Sequence, residues 1–260
     1  MNATKNIRTL IASAAMVLGL GAAPALQAAG PAVALDRFPE GKLTDVAALQ
    51  NGAKIYMNYC LGCHGISQVR YNKLRDIGLT EEQIKSNLIL TQAKFGDPIL
   101  STIPLKDSKE WFGKTPPDLS LTARSRSSGA GTGADWIYTY LRGYYLDPSR
   151  PTGWNNTVYP AVGMPHVLWE LQGQNRAEFK KVSSHGQGSE VFSRFVNEKP
   201  GSLNPAEYDN LVADLTAFLA WVADPVAQTR KQVGVWVLIF LALFMVFAWR
   251  LNASFWRDVK

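Results

Sequence analysis

Apolar residues recur at helical spacing in four stretches of the chain, and two other stretches are apolar throughout. In the first amphipathic stretch Val46, Leu49, Ala53 and Tyr56 share a face, which predicts a helix over 45–59 with Thr44 as its N-cap. A second opens at Thr80, which forms a capping-box pattern with Gln83, and runs through Ile84 and Leu88 towards Lys94; Gly96, Asp97 and Pro98 then stop it. A third covers 134–144, with Trp136, Ile137, Tyr140 and Leu141 facing one way. The fourth is the best marked: Asn204 as N-cap, Pro205 at the first helical position, Glu207 three residues after the cap, and an apolar stripe from Leu211 to Val222 closed by Asp224 and Pro225. Between these helices, 111–133 is rich in Pro, Gly, Ser and Arg, and 148–165 holds four prolines, two glycines and two asparagines. Both read as loops, and a loop as long as the second usually holds a ligand or a partner. No hairpin signature and no internal repeat is found, so the pattern predicts a mainly helical domain with long connections.

The two uniformly apolar stretches lie near the ends. Lys5 and Arg8 precede an Ala, Leu, Val, Ile, Met and Gly run from Leu10 to Ala25, the layout of a secretory signal cleaved near Ala28 or Ala29, with an uncleaved anchor as the alternative. Val233 to Trp249 is an uninterrupted apolar run of seventeen residues, about 25 Å as a helix and at the short end of what spans a bilayer. Arg230 and Lys231 precede it and Arg250, Arg257 and Lys260 follow it, while Trp236 and Trp249 suit the two interfaces. A buried core helix is the competing reading, but no polar face supports it. The predicted division is signal peptide 1–29, exported domain 30–229, membrane anchor 230–250 and a tail 251–260.

The formal charge of +6 invites a nucleic-acid reading until the charges are located. The excess sits in the two ends. Residues 30–229 carry 20 basic and 20 acidic side chains, so the globular part is neutral and no nucleic-acid partner is expected.

Cys60 and Cys63 are the sole cysteines, and His64 follows directly. C-x-x-C-H is the pattern of covalent haem attachment: two thiols about one turn apart add to the two vinyl groups, and the adjacent imidazole is carried under the iron. A redox dithiol wants a preceding strand where this chain has a helix. Zinc or iron–sulfur sites need more ligands than the chain offers, and a disulfide across two residues is strained. For the sixth iron ligand, Met1 and Met16 lie in the signal, Met57 lies on the proximal side and Met245 in the membrane run, which leaves Met164 among methionines and His166 and His185 among histidines. Met164 sits in an irregular, Pro-flanked loop and is favoured over them, with simple core packing as the alternative. A His/Met pair favours electron transfer because it leaves no open position. Arg126, and after it Arg124, are candidates for pairing with a haem propionate. Trp111, Trp136, Tyr138 and Tyr140 either surround the ring or are core.

Met57 to His64 (MNYCLGCH), Pro116 to Ser120 (PPDLS), Gly163 to Leu168 (GMPHVL) and the C-terminal helix with its single span together closely resemble bacterial cytochrome c1, from about residue 36 to the C-terminus. The resemblance implies a class I cytochrome c-like domain with long loop insertions plus one C-terminal transmembrane helix, carrying one covalent haem c. It implies attachment through Cys60 and Cys63, iron ligation by His64 and Met164, and Arg126 near a propionate. The implied role is the haem subunit of quinol–cytochrome c reductase, an electron-transfer subunit not expected to be catalytic alone. It would take electrons from the Rieske iron–sulfur protein and pass them to a soluble c-type cytochrome, with the tail helix in membrane lipid beside cytochrome b and the complex dimeric. The haem domain would lie in the periplasm, on the bacterial inner membrane, with the last residues in the cytoplasm. Some relatives brace the distal loop with an extra cysteine pair; this chain lacks it, so Pro160 and Pro165 are expected to supply the stiffness. The stretch Ser183 to Ser202 has no assigned counterpart. Three other readings stay open: a membrane-anchored cytochrome of another respiratory chain or terminal oxidase, a haem enzyme with an open sixth site and His166 or His185 handling protons, and a thiol redox factor using Cys60 and Cys63.

Overall fold

A computed structural model describes residues 34–184 and 187–258. The signal reading for 1–29 and the place of His185 lie outside the described residues. Eight α-helices are described: α1 Val46–Tyr59, α2 Glu81–Asn87, α3 Leu105–Phe112, α4 Thr122–Ser125, α5 Gly133–Arg142, α6 Trp169–Gln172, α7 Pro205–Ala223 and α8 Ala227–Phe255. Six short or peripheral strands form three separate antiparallel pairs: β1 Ile66–Arg70 with β2 Pro98–Ile99, β3 Tyr144–Leu146 with β4 Trp154–Asn156, and β5 Gly173–Ser184 with β6 Gln187–Pro200.

The core is the crossing of α1 on α7. Tyr56 and Phe218 meet there with ring centroids 5.7 Å apart, and both are buried, together with Ala53 and Leu215. The crossing is close because Gly52 has no side chain: a Cβ at that position would lie 2.1 Å from the Asp214 carbonyl oxygen. The Asp214 carboxylate is buried in the same contact and is satisfied by Lys42 Nζ at 2.7 Å and by the Asn51 amide at 2.7 Å. A buried carboxylate is tolerated only with such partners.

Local signals placed the helix starts well, with one correction. Asp45, not Thr44, caps α1, its carboxylate accepting from the Ala47 and Ala48 amides at 3.0 and 3.3 Å. Thr44 is instead taken up in closing the preceding 3-10 turn, Glu40–Leu43, so Asp45 is the extended residue at the helix entry. The Thr80–Gln83 and Asn204–Glu207 capping boxes both form. The second helix ends at Asn87 rather than running to Lys94, because the Leu88 and Ile89 amides both donate to the Ile84 carbonyl and the chain turns there.

The expectation that the chain holds no hairpin is overturned twice. β3 and β4 pair across a connector of more than two residues, Tyr144 facing Asn156, with only β4 inside the segment read as a loop. β5 and β6 form a long hairpin that accounts for the unassigned 183–202 stretch, with cross-strand pairs Arg176–Glu198 and Glu178–Arg194. Register shifts at Gln174/Asn175 and Glu178/Phe179 break the period-2 alternation that would have revealed it. α3 and the short α4 also replace loop in and around 111–133.

The last helix, α8, is 29 residues long with a mean hydropathy of 2.3 over its most apolar window, none of that window buried. It outruns the seventeen-residue apolar run at both ends, reaching about 44 Å at 1.5 Å per residue, more than the roughly 30 Å hydrocarbon core. Asp224 and Arg230, paired at 2.6 Å, clamp its junction with α7.

Candidate functional site

α1 delivers the cysteines. Its last turn passes into Cys60, whose amide donates to the Tyr56 carbonyl at 2.9 Å, and the Cys63 and His64 amides both turn back on the Cys60 carbonyl at 3.0 and 2.8 Å. Cys60, Cys63 and His64 therefore lie on one continuous turn. The buried Tyr56 hydroxyl donates to the His64 carbonyl at 2.5 Å, and the hydroxyls of Ser101 and Thr102 donate to the Gly62 carbonyl at 3.3 and 3.1 Å. Neither cysteine is in a disulfide. Burial, and then the neighbouring Cys63, push the Cys60 thiol up to about 12. A redox dithiol works through a lowered thiol, the opposite direction.

His64 is held in one tautomer. Its Nδ1 lies 2.7 Å from the Pro117 carbonyl oxygen, an atom that can only accept, so Nδ1 carries the proton and Nε2 keeps its lone pair. Burial lowers the imidazole pKa, opposed by the Pro117 carbonyl and by Asp118, which further favours the neutral ligand form. The PPDLS segment lies against β1 to make this contact: the Leu119 amide donates to the Gly65 carbonyl at 2.8 Å, and Asp118 accepts from the Ser67 and Ser120 amides, both at 2.8 Å. Burial alone would raise the Asp118 carboxyl, but the hydrogen bonds from Ser120 and Ser67 hold it below its ordinary value.

Met164 follows Gly163, where a Cβ would sit 3.6 Å from the end of the Lys114 side chain. The Met164 sulfur accepts from the Tyr140 hydroxyl at 3.6 Å, and its carbonyl oxygen accepts from Tyr144 at 3.3 Å. Two asparagines, besides the expected Pro160 and Pro165, brace the loop. The buried Asn156 donates to the Tyr140 carbonyl at 2.7 Å and accepts from the Val158 and Tyr159 amides at 2.9 and 3.2 Å. Asn155 bridges Asp147 and the Ala161 amide, holding Ala161 at a φ of 60°. Asx side chains that close backbone turns are a sequence signal that could have found this brace.

The remaining candidates separate. His166 is buried, stacked on Tyr144 at 4.7 Å and 5° with the Trp154 edge 5.1 Å away, and burial pushes its pKa down to about 4. It packs between two aromatic rings, and its buried Nε2 has no hydrogen-bond partner among the described residues. Arg126 is exposed, its guanidinium 4.4 Å above Trp136 and 5.7 Å from Tyr159, and among the described residues it enters no ion pair. Arg124 lies near Asp224, whose carboxyl is lowered first by Arg230 and then partly by Arg124. Trp136 and Tyr140 stack at 4.7 Å, whereas Tyr138 packs under Arg142 and beside Phe38. Trp111 is exposed on α3.

The sequence model described as the Cytochrome C1 family matches residues 40–259. The chain belongs to the cytochrome c1 family. Cytochrome c1 of Allochromatium vinosum is 43% identical over 219 residues, covering 84% of this chain and 86% of that protein. A Nitrosomonas europaea protein named ammonia monooxygenase gamma subunit is 40% identical over 230 residues, 88% of this chain and 91% of its own length. The mitochondrial cytochrome c1 heme protein of Saccharomyces cerevisiae is 25% identical over 234 residues, 83% and 68% of the two chains. Cytochrome c1 is the haem subunit of the cytochrome bc1 complex and carries a covalent haem c, so the role is electron transfer and the chain is membrane-anchored. The residues described here fit that group: two thiols on one turn, an imidazole with its Nε2 lone pair free, and a thioether carried by a braced loop.

Proposed function

We propose that Cys60 and Cys63 bind haem c through two thioether bonds, that His64 Nε2 and Met164 Sδ are its axial ligands, and that Arg126 neutralises a propionate. In each thioether linkage the thiol adds across a vinyl double bond, sulfur to one carbon and hydrogen to the other. The haem supplies a one-electron couple. Everything else falls to the chain: Pro117 fixes the tautomer of His64, Asn156 and Asn155 hold the Met164 loop, and Trp136 carries the Arg126 guanidinium over its ring. The observation that carries the reading is the His64 Nδ1 contact with Pro117, since it leaves the other ring nitrogen as a ligand and serves no dithiol chemistry. A His/Met pair closes both axial positions and raises the potential, the properties of a carrier.

At the level of the assembly, the chain takes electrons from the Rieske iron–sulfur protein and delivers them to a soluble c-type cytochrome. Residues 1–29 are the export signal, 30–229 the periplasmic haem domain, 230–250 the anchor beside cytochrome b in a dimeric complex, and 251–260 the cytoplasmic tail. Two features support this: the apolar run from Leu10 to Ala25 behind Lys5 and Arg8, and the fully exposed apolar surface of α8. Digestion of the purified chain should give a haem-bearing peptide spanning Cys60–His64, and alkylatable thiols there would contradict the attachment. Detergent purification should bring down cytochrome b and a Rieske protein with quinol–cytochrome c reductase activity. Recovery with a monooxygenase and without cytochrome b would overturn the assembly while leaving the carrier chemistry intact.

A further inference from the structure

Two tyrosine hydroxyls and two acceptors on one residue form a closed set beside Met164. Tyr140 Oη lies 3.6 Å from the Met164 sulfur, Tyr144 Oη lies 3.3 Å from the Met164 carbonyl oxygen, and the two hydroxyl oxygens are 2.7 Å apart. The set has two protons to share over three contacts. If each hydroxyl donated to Met164, two oxygen lone pairs would face each other across 2.7 Å with no proton between them, which is repulsive. One proton must therefore occupy the short contact, and two arrangements remain. In one, Tyr144 donates to Tyr140 and Tyr140 donates to the sulfur. In the other, Tyr140 donates to Tyr144 and Tyr144 donates to the carbonyl.

Both rings are pinned, so neither hydroxyl escapes by rotating its ring away. Tyr140 is stacked under Trp136 at 4.7 Å and 12°, and Tyr144 is stacked on His166 at 4.7 Å and 5°. Tyr144 is 1% exposed.

We propose that Tyr140 and Tyr144 form a two-position hydrogen-bond relay on Met164, in which the sulfur and the carbonyl of that residue compete for a single donor and the redox state of the site selects between them. The inference rests on Met164 being the axial ligand. A thioether that gives electron density to a ferric iron is a poorer acceptor than the same thioether on a ferrous iron. The sulfur-directed arrangement therefore accompanies the reduced state and stabilises it, and the carbonyl-directed arrangement accompanies the oxidised state. The change reorients two O–H bonds and moves no proton out of the pair. Both tyrosines are positioning residues, acting through Met164 rather than on the iron.

The two positions make the single substitutions differ in sign. Tyr140→Phe removes the hydroxyl that, among the described residues, lies beside the sulfur and leaves Tyr144 to the carbonyl, so the potential falls. Tyr144→Phe removes the competing acceptor and leaves Tyr140 with the sulfur alone, so the potential rises. A merely structural loosening of the loop would move both variants the same way. The test is a spectroelectrochemical titration of the wild type, Tyr140→Phe and Tyr144→Phe in the purified membrane complex, with the long-wavelength sulfur-to-iron charge-transfer band recorded on the same samples. Opposite shifts with the band retained are expected. Shifts of one sign, or no shift with the band retained, overturn the relay and leave Met164 as ligand; absence of the band in the wild type overturns both. Reduced-minus-oxidised infrared difference spectra of wild type containing ring-labelled tyrosine need no substitution. A label-sensitive band is expected there, and a spectrum unchanged by the label contradicts the relay.

Discussion

One carbonyl oxygen, that of Pro117, decides which nitrogen of His64 is available, and one side chain, Asn156, decides how firmly Met164 is held. Asn156 makes three hydrogen bonds to the backbone of a helix end and of the methionine loop while 1% exposed. Truncating it strands the Tyr140 carbonyl and the Val158 and Tyr159 amides, and buried groups left without partners cost about 1–3 kcal/mol each before water relieves them. Asn156→Ala is expected to lower stability by about 2–3 kcal/mol and to let the reduced haem bind carbon monoxide partially, read by denaturant titration and by optical spectra. Full stability with an unchanged spectrum would show that the asparagine brace is dispensable. At this scale the sequence announces the chemistry but not its support. Cys60, Cys63, His64 and Met164 stand out as candidates because spacing and elimination single them out. Pro117, Tyr144 and the stacking of His166 are not, because each acts through a contact between segments distant in the chain.

The elements follow the same division between local and distant causes. Thr80 and Asn204 were readable as helix starts because a capping box is closed within four residues. α3 escaped because its start carries no side-chain cap and its apolar residues, Leu105, Trp111 and Phe112, are few among polar ones. The β5–β6 hairpin escaped because its bulges interrupt alternation, and the β3–β4 hairpin because no two-residue turn signature joins its strands. Gly52 is a case where an element's position hangs on an absent side chain. Gly52→Ala would place a methyl group 2.1 Å from the Asp214 carbonyl oxygen, so α1 and α7 must separate. The expected cost is about 3 kcal/mol, the upper part of the range for overpacking. Gly96→Ala, with nothing within 4 Å of the added carbon, is the control and should leave the unfolding midpoint nearly unchanged. Equal behaviour of the two variants would refute the close crossing.

For the whole molecule, charge location and apolar runs told more than the totals. The +6 charge belongs to the ends, and the neutral middle leaves recognition to local surface features. The anchor was visible in its apolar run, although the helix carries on for several residues beyond it on both sides. Its most apolar window contributes no buried surface, so removing it should not disturb the haem domain. A chain ending after Val226 is expected to leave the membrane fraction and keep the reduced spectrum of the full-length protein. Loss of the haem spectrum on truncation would mean that α8 supports the fold. The central claim is that His64 and Met164 close both axial positions of a covalent haem. Its most direct test is the optical spectrum of the wild type and of Met164→Leu, oxidised and reduced, with carbon monoxide added to the reduced samples. The account predicts a low-spin wild type that ignores carbon monoxide and a variant that binds it at a lower potential. A wild type that binds carbon monoxide, with a variant that behaves identically, would contradict it.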